Sequence, residues 1–227
     1  MAESDKLVAQ VVAQVLARLK AEPDPAGGQG RILRIPVGVS ARHVHLAPED
    51  LAELFGPGYN LTPKKPLQPG QYAAEETVTL VGPKGVFSKV RVLGPPRGHT
   101  QVEVAQSDCF TLGIPPLVRP SGHIAGTPGV AVVGPKGARY LREGVIVALR
   151  HIHITPPEAA AWGLKDGDRV QVVVPGGERA LTFGQVLVRV SAASRLELHI
   201  DTDEANAAGL QSGDYVELVP GGERADG

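Results

Sequence analysis

Two tetrapeptides carry most of the chemistry open to this sequence: Arg42-His43-Val44-His45 and Arg150-His151-Ile152-His153. Side chains alternate faces along an extended chain. Each His-x-His therefore presents both imidazoles on one side, about 7 Å apart at Cα. Two imidazoles so placed can share one cation, and neutral imidazole is a common ligand for zinc. Four of the seven histidines are spent on these pairs. Each pair is followed by an aliphatic residue, a small residue, a proline and a short helix-like run. One isolated pair reads equally well as surface strand histidines; two copies in matching contexts point to a metalloprotein.

A repeat in the C-terminal third adds a fifth histidine. Residues 153–170, shifted by 46, fall on 199–216, so that His153, Glu158, Gly163, Gly167 and Asp168 meet His199, Glu204, Gly209, Gly213 and Asp214. A shift of 108 lays His45-Leu46-Ala47-Pro48 on His153-Ile154-Thr155-Pro156 as a weaker third copy. His199 is thus the counterpart of His153 at the same strand end of a related unit. Five histidines exceed the needs of one tetrahedral metal, and two metals sharing a cleft is the economical reading. Glu103 is the best acidic ligand, because its neighbours Val102 and Val104 would face the other side of the strand. Arg97, in a glycine-bearing loop, and Lys65 offer an anion site. Ser121-Gly122 can bring a hydroxyl and a backbone N–H to an oxyanion. His99 and His123 fit no pairing pattern and read as surface or supporting residues.

Strands must hold these residues, and the composition favours them. Of 227 residues 42% are hydrophobic but only 4% aromatic, so the core is built from Val, Leu, Ile and Ala. Frequent turns follow from 28 Gly and 20 Pro. Strands are expected from residue 32 through the first His-x-His, over 76–81, 86–93 and 101–104, and around the second pair. A helix starts near Pro48, turns fall at Gly82-Pro83-Lys84-Gly85 and Gly134-Pro135-Lys136-Gly137, and 64–71 and 115–129 read as loops. Units of strand, short helix, Gly-Asp turn and strand suit small closed barrels. The expected fold is mainly β: two small closed β-barrel domains with short helices, over about 31–148 and 149–220, with strand exchange between them allowed and a tail at 221–227. The metal pairs would lie at the interface.

Residues 2–20 stand apart. Leu7, Val8, Val11, Val12, Val15, Leu16 and Leu19 form one helical stripe, followed by a Pro- and Gly-rich linker over 22–30. A tethered amphipathic helix this short is marginal alone and needs a partner surface, on its own enzyme or another protein. A net charge of -1 leaves no basic footprint for nucleic acid. No apolar run approaches the length of a membrane span. The single cysteine, Cys109, excludes an intrachain disulfide and suits a reducing compartment, so a soluble intracellular protein is expected.

From about residue 36 to 219 the chain resembles the phosphate propanoyltransferase family, the propanediol-utilisation type of phosphotransacylase. The blocks that carry the resemblance are VGVSARHVHL, QPGQYAAEETVTLVGPKG, VRVLGPPRGHTQVEVAQSD, RPSGHIAGTPG, ALRHIHI and HIDTDEANAAGL, specific together rather than singly. The resemblance implies two β-barrel domains and two zinc ions per chain. It also implies reversible conversion of acyl-CoA (propanoyl-CoA or acetyl-CoA) plus phosphate to acyl phosphate plus coenzyme A. By position it puts His43, His45 and Glu103 on one zinc and His151, His153 and His199 on the other. Arg97 matches the family's phosphate-handling arginine and Ser121 its active-site serine, while Ser40, Lys65 and Asn206 match positions lining the coenzyme A site. Two positions depart from the family pattern: His123 stands where an acidic residue is usual, and Cys109-Phe110 where Arg is common.

On that reading, the zinc of His43, His45 and Glu103 would hold the coenzyme A sulfur as thiolate. Arg97 would grip the phosphoryl oxygens through paired hydrogen bonds. The second zinc would orient phosphate or polarise the acyl carbonyl, and Ser121 would help hold the oxyanion. No Ser-His-Asp or Cys-His arrangement is indicated, so direct transfer is expected rather than an acyl-enzyme. The rivals are a two-metal hydrolase of acyl thioesters and a non-enzymatic barrel stabilised by zinc; one cysteine speaks against the second. Family members in bacterial microcompartments often carry a tethered amphipathic helix as an encapsulation signal, and residues 2–20 resemble one. The expected partners are acyl-CoA, phosphate, shell or core proteins and further copies of the chain. The expected location is cytoplasmic, in the microcompartment lumen.

Overall fold

The computed structural model describes residues 32–219. The expected helix over 2–20, the linker over 22–30 and the tail over 221–227 lie outside the described residues. Alternation of apolar and polar residues builds the first β assembly. Six strands close into a barrel in the order β1 (Arg34–Ser40), β14 (Glu197–Asp201), β11 (His151–Ile154), β13 (Thr182–Val190), β12 (Arg169–Val173) and β15 (Tyr215–Leu218), and β15 returns to β1. Every second residue points inward: Ile35 and Val37, Ile152 and Ile154, Val186 and Val188, and Leu198 and Ile200 form a dry interior.

Nine strands form the second assembly, which curls as a half-barrel. Their order is β7 (Val118–Arg119), β10 (Val145–Ala148), β6 (Gln101–Val104), β2 (His43–His45), β5 (Val86–Gly94), β4 (Tyr72–Val81), β8 (Val130–Val133) and β9 (Ala138–Leu141), with β3 (Pro63–Pro66) pairing on β4. The mainly β architecture is as expected, but only one of the two barrels closes fully. At one open edge β7 is two residues long and lies between Pro115-Pro116 and Pro120, which lack N–H donors to extend a ladder.

Local differences from the sequence reading have simple causes. The strand-like run from residue 32 breaks at Ala41-Arg42, where the chain leaves the barrel for the sheet; Leu149-Arg150 brings it back. Lys64 and Lys65, expected in a loop, belong to the exposed edge strand β3, and β4 starts at Tyr72 rather than Glu76.

Each of four strands leads into a short helix: α1 (Pro48–Phe55), α2 (Gln106–Leu112), α3 (Pro156–Ala161) and α4 (Thr202–Ala208). The sequence repeat becomes an internal symmetry of the barrel. In its Gly-Asp turns, Asp168 Oδ2 accepts from Lys165 N at 2.9 Å and Asp214 Oδ2 accepts from Gln211 N at 2.7 Å. Gly167 and Gly213 occupy left-handed conformations with φ of 86 and 96°. Their N–H groups donate to Val188 O and Val37 O in turn.

The two Gly-Pro-Lys-Gly turns play matching roles in the sheet. Lys84 N donates to Leu112 O, and Lys136 N to Leu54 O, both at 3.0 Å, so each hairpin satisfies a carbonyl in the last turn of α2 or α1. The approach demands glycine: a Cβ on Gly82 would lie 2.3 Å from Leu112 O, and one on Gly134 would lie 2.4 Å from Leu54 O. Gly82→Ala and Gly134→Ala are each expected to cost about 1–3 kcal/mol in denaturant unfolding. Gly184→Ala, with nothing within 4 Å of the new methyl, should stay within about 0.5 kcal/mol of the parent. Equal losses at all three positions would mean that the turn–helix contacts contribute nothing.

Candidate metal centre and anion cleft

Strand register decides which side chains meet. His43 pairs with Glu103 and His45 with Gln101 across β2 and β6, while Val44 and Val102 between them are fully buried in the sheet's core. The other face of these strands therefore carries His43, His45, Gln101 and Glu103 together. In the barrel, β11 runs between β14 and β13, with His151 opposite His199 and Leu187, and His153 opposite Glu197 and Arg189. Ile152 and Ile154 fill the barrel, so the histidines stand on its outer wall. Both faces line one cleft of about 670 Å³, which Ser40, Lys65, Arg97 and Ser121 also line.

Two groups of three donors result, each with ligand atoms within 4.8 Å of one another: His43, His45 and Glu103, and His151, His153 and His199. The first histidine of each pair is oriented by the same device. His43 Nδ1 donates to Ala41 O and His151 Nδ1 to Leu149 O, both at 2.9 Å, leaving Nε2 as the free lone pair. His151 Nε2 and His153 Nε2 approach to 3.1 Å. Two nitrogens on one tetrahedral zinc, with bonds of roughly 2.0–2.1 Å, lie about 3.3 Å apart. In the other group Glu103 Oε2 is 3.4 Å from His43 Nε2, and Glu103 Oε1 is 3.8 Å from His45 Nε2. His45 Nδ1 is buried without a hydrogen-bond partner among the described residues. Both groups fit a divalent metal. Three nitrogen and oxygen donors each would leave an open coordination position, the mark of a catalytic rather than a structural zinc site.

Charge is arranged to suit ligation. Burial, then the neighbouring His43 and Arg97, pushes His45 down to about 3. Burial and His199 lower His151 to about 4, and burial with His151 and His199 lowers His153 to about 3. These three rings are neutral and ready to ligate at pH 7. Burial would raise the Glu103 carboxyl, but His43, with His45 and the Ser121 hydroxyl, outweighs it and holds the group far below the usual carboxylate range. Burial likewise opposes protonation of His43, but Glu103 and the Ala41 carbonyl leave it raised.

The phosphate-handling candidates adjoin the first group. Arg97 Nη1 donates to Ser121 Oγ at 3.4 Å and Nη2 to Gln71 Oε1 at 3.3 Å. Ser121 Oγ donates to Glu103 Oε1 at 2.9 Å. Ser40 and Lys65 line the cleft, whereas Asn206 is exposed on α4 and does not. His99 and His123 are exposed.

Three supporting residues escaped the sequence reading. Gln101 Nε2 donates to Glu103 Oε1 at 2.6 Å and to Ser121 Oγ at 2.9 Å, and its Oε1 accepts from Gly122 N at 2.7 Å. Glu197 accepts from His199 Nε2 at 2.8 Å and from Gln68 Nε2 at 2.7 Å. Gln101 and Glu197 each stand two residues before a ligand candidate, hence on the same strand face, which was a usable signal. Gln68 gave none, since its partners are more than a hundred residues away. Gly38 makes room for this arrangement: a Cβ there would lie 3.0 Å from His199 Cδ2 and 3.1 Å from Glu197 Cδ.

Comparison with known proteins assigns the chain to a family. A sequence model of phosphate propanoyltransferases matches residues 36–211. The chain belongs to the phosphate propanoyltransferase family. It is similar to the phosphate propanoyltransferase of Thermotoga maritima, 58% identical over 164 residues that cover 72% of this chain and 78% of the relative. The Rhodopseudomonas palustris enzyme of that name is 48% identical over 199 residues, 83% of this chain and 88% of the relative. The Rhodobacter capsulatus enzyme is 50% identical over 195 residues, 86% of each chain. The family is one of acyltransferases. Among the described residues no helix is long and apolar enough to cross a membrane.

Zinc titration of chelator-treated protein checks the two donor groups separately. The parent should take up about two equivalents, and His153→Ala and Glu103→Gln about one tight equivalent each, with far-UV circular dichroism unchanged. Undiminished uptake by Glu103→Gln would remove the carboxylate from the ligand set.

Proposed function

We propose that this enzyme transfers an acyl group directly between the thiol of coenzyme A and inorganic phosphate. Zinc would be held by His43, His45 and Glu103 and by His151, His153 and His199. The carrying observation is the convergence of both donor groups, Arg97 and Ser121 on one cleft, in a chain whose relatives are named phosphate propanoyltransferase. Zinc bound in these groups supplies Lewis acidity, favouring thiolate over thiol and polarising a carbonyl. In the forward direction a phosphate oxygen bonds to the acyl carbon, the carbon–sulfur bond breaks, and sulfur leaves with the electron pair.

The residues of the chain do the rest. The two hydrogen bonds of the Arg97 guanidinium are long, 3.3 and 3.4 Å, and phosphoryl oxygens can replace both at shorter range. Its backbone is fixed by Arg97 N donating to Leu46 O at 2.9 Å. The proposed oxyanion donor is the Ser121 hydroxyl, which would turn from Glu103 to reach it; the Gly122 N–H is already spent on Gln101 Oε1.

Direct transfer is supported by the state of the other nucleophiles. Ser121 Oγ bonds to Glu103, Gln101 and Arg97, with no imidazole bonded to it among the described residues, and a carboxylate as acidic as Glu103 is a poor general base. Cys109 lies on α2, 1% exposed, and burial with Asp108 pushes its thiol up to about 11.

Thiol release from acyl-CoA should require phosphate, run backwards with acyl phosphate, and stop on chelation. Arg97→Lys should lose about tenfold or more in kcat/KM, because one ammonium cannot reproduce the paired contact. Acid release without phosphate would favour the rival two-metal hydrolase instead.

The compartment reading rests on sequence. The family match begins at residue 36, leaving the amphipathic stripe of residues 2–20 outside it. The proposed role of that stripe is to bind a microcompartment shell or core protein, with the enzyme in the lumen. Deleting residues 1–28 should leave turnover in dilute solution unchanged and reduce co-purification with shells. Loss of zinc or fold on truncation would assign the segment to the catalytic body.

A further inference from the structure

One charged side chain of the cleft has no part in the chemistry above. Arg189 stands on β13 in register with His153, and because its neighbour Val188 points into the barrel, Arg189 faces outward and lines the cleft. Glu197 occupies the same transverse row, on the far side of His153. That carboxylate is already engaged by His199, Gln68 and Arg195. The other arginines of the cleft also have partners, Arg97 in Ser121 and Gln71 and Arg195 in Glu197. The side chain of Arg189 makes no hydrogen bond or ion pair among the described residues. Its strand register beside His153 puts its positive charge in the same cleft as Arg97, His151 and His153. Two guanidiniums directed into one partly desolvated cleft repel each other unless an anion sits between them.

We propose that Arg189 is a second anion-holding residue of the cleft, gripping a phosphoryl oxyanion of the substrate from the barrel wall while Arg97 grips it from the sheet. A guanidinium offers five donors in a fixed fork that matches the oxygens of a phosphoryl group, and on Arg189 all of them are unspent. The proposal rests on the acyl-transfer reading, which offers two sources of this one chemistry: inorganic phosphate with its acyl phosphate product, and the phosphates of coenzyme A.

The test uses the full-length enzyme as purified, with Arg189→Gln and Arg189→Lys. Arg189→Gln should raise KM for inorganic phosphate about tenfold or more while KM for acyl-CoA moves less than about twofold. Arg189→Lys should fall between the parent and Arg189→Gln, since it keeps the charge and loses the fork. A rise confined to acyl-CoA would instead assign the guanidinium to the phosphates of coenzyme A. Calorimetric titration with inorganic phosphate alone reads the contact without turnover and should weaken by the same factor as KM. A parent that binds phosphate but shows no phosphate-dependent thiol release would refute the acyl-transfer reading and leave this contact still measurable. Unchanged constants for both substrates and unchanged phosphate affinity would overturn the proposal. So would a fall in zinc content and melting temperature with normal constants in the remaining folded enzyme, which is the signature of a structural role.

Discussion

The site depends first on two hydrogen bonds, from His43 Nδ1 to the Ala41 carbonyl and from His151 Nδ1 to the Leu149 carbonyl. Each accepting carbonyl belongs to the short segment by which the chain crosses between barrel and sheet. The crossing and the orientation of the ligand are therefore one structural event. A carbonyl can only accept, so the proton is fixed on Nδ1 and Nε2 faces the cleft as a lone pair. Moving either crossing would turn an imidazole away from its group, and the two β assemblies are thus tied together at the points where the chemistry is exposed.

Around that constraint, charge is distributed with economy. Each histidine group has one carboxylate in contact, Glu103 in the first and Glu197 in the second, and each carboxylate is tied to the opposite assembly or to the anion loop. Gln68 reaches from the segment between β3 and β4 to Glu197 on the barrel, while its Oε1 accepts from Arg195 N. Gln101 links Glu103 to Ser121 and Gly122. The glutamines are uncharged, so they hold carboxylates in place without cancelling the charge that balances the ligands.

Much of this was legible in the sequence, for reasons that are local. His-x-His needs only strand alternation to predict two imidazoles on one face, and Glu103 between valines follows from the same rule. The repeat of Gly167-Asp168 at Gly213-Asp214 foretold a pair of turns that the barrel uses symmetrically. What remained hidden was set by distant pairing. The full closure of one assembly and the open edge of the other depend on strand order, which no window of sequence contains. The seven-residue helix α2 has Asp108, Cys109 and Leu112 on its buried side, too few apolar residues to register as a periodic stripe. Arg189 looked like any charged residue in a Val-rich strand until its register beside His153 was known.

The path of β1 has a consequence for how the protein is made. All nine strands of the sheet come from one unbroken stretch of chain, but the barrel is split: β1 is translated before that stretch and its five partners after it. β1 sits between β14 and β15, so the barrel cannot close until the last strand has left the ribosome. Until β14 and β15 emerge, Ile35 and Val37 wait on a strand without neighbours, while the sheet can assemble behind them. The nascent chain can therefore bring His43, His45 and Glu103 together before His199 has been synthesised.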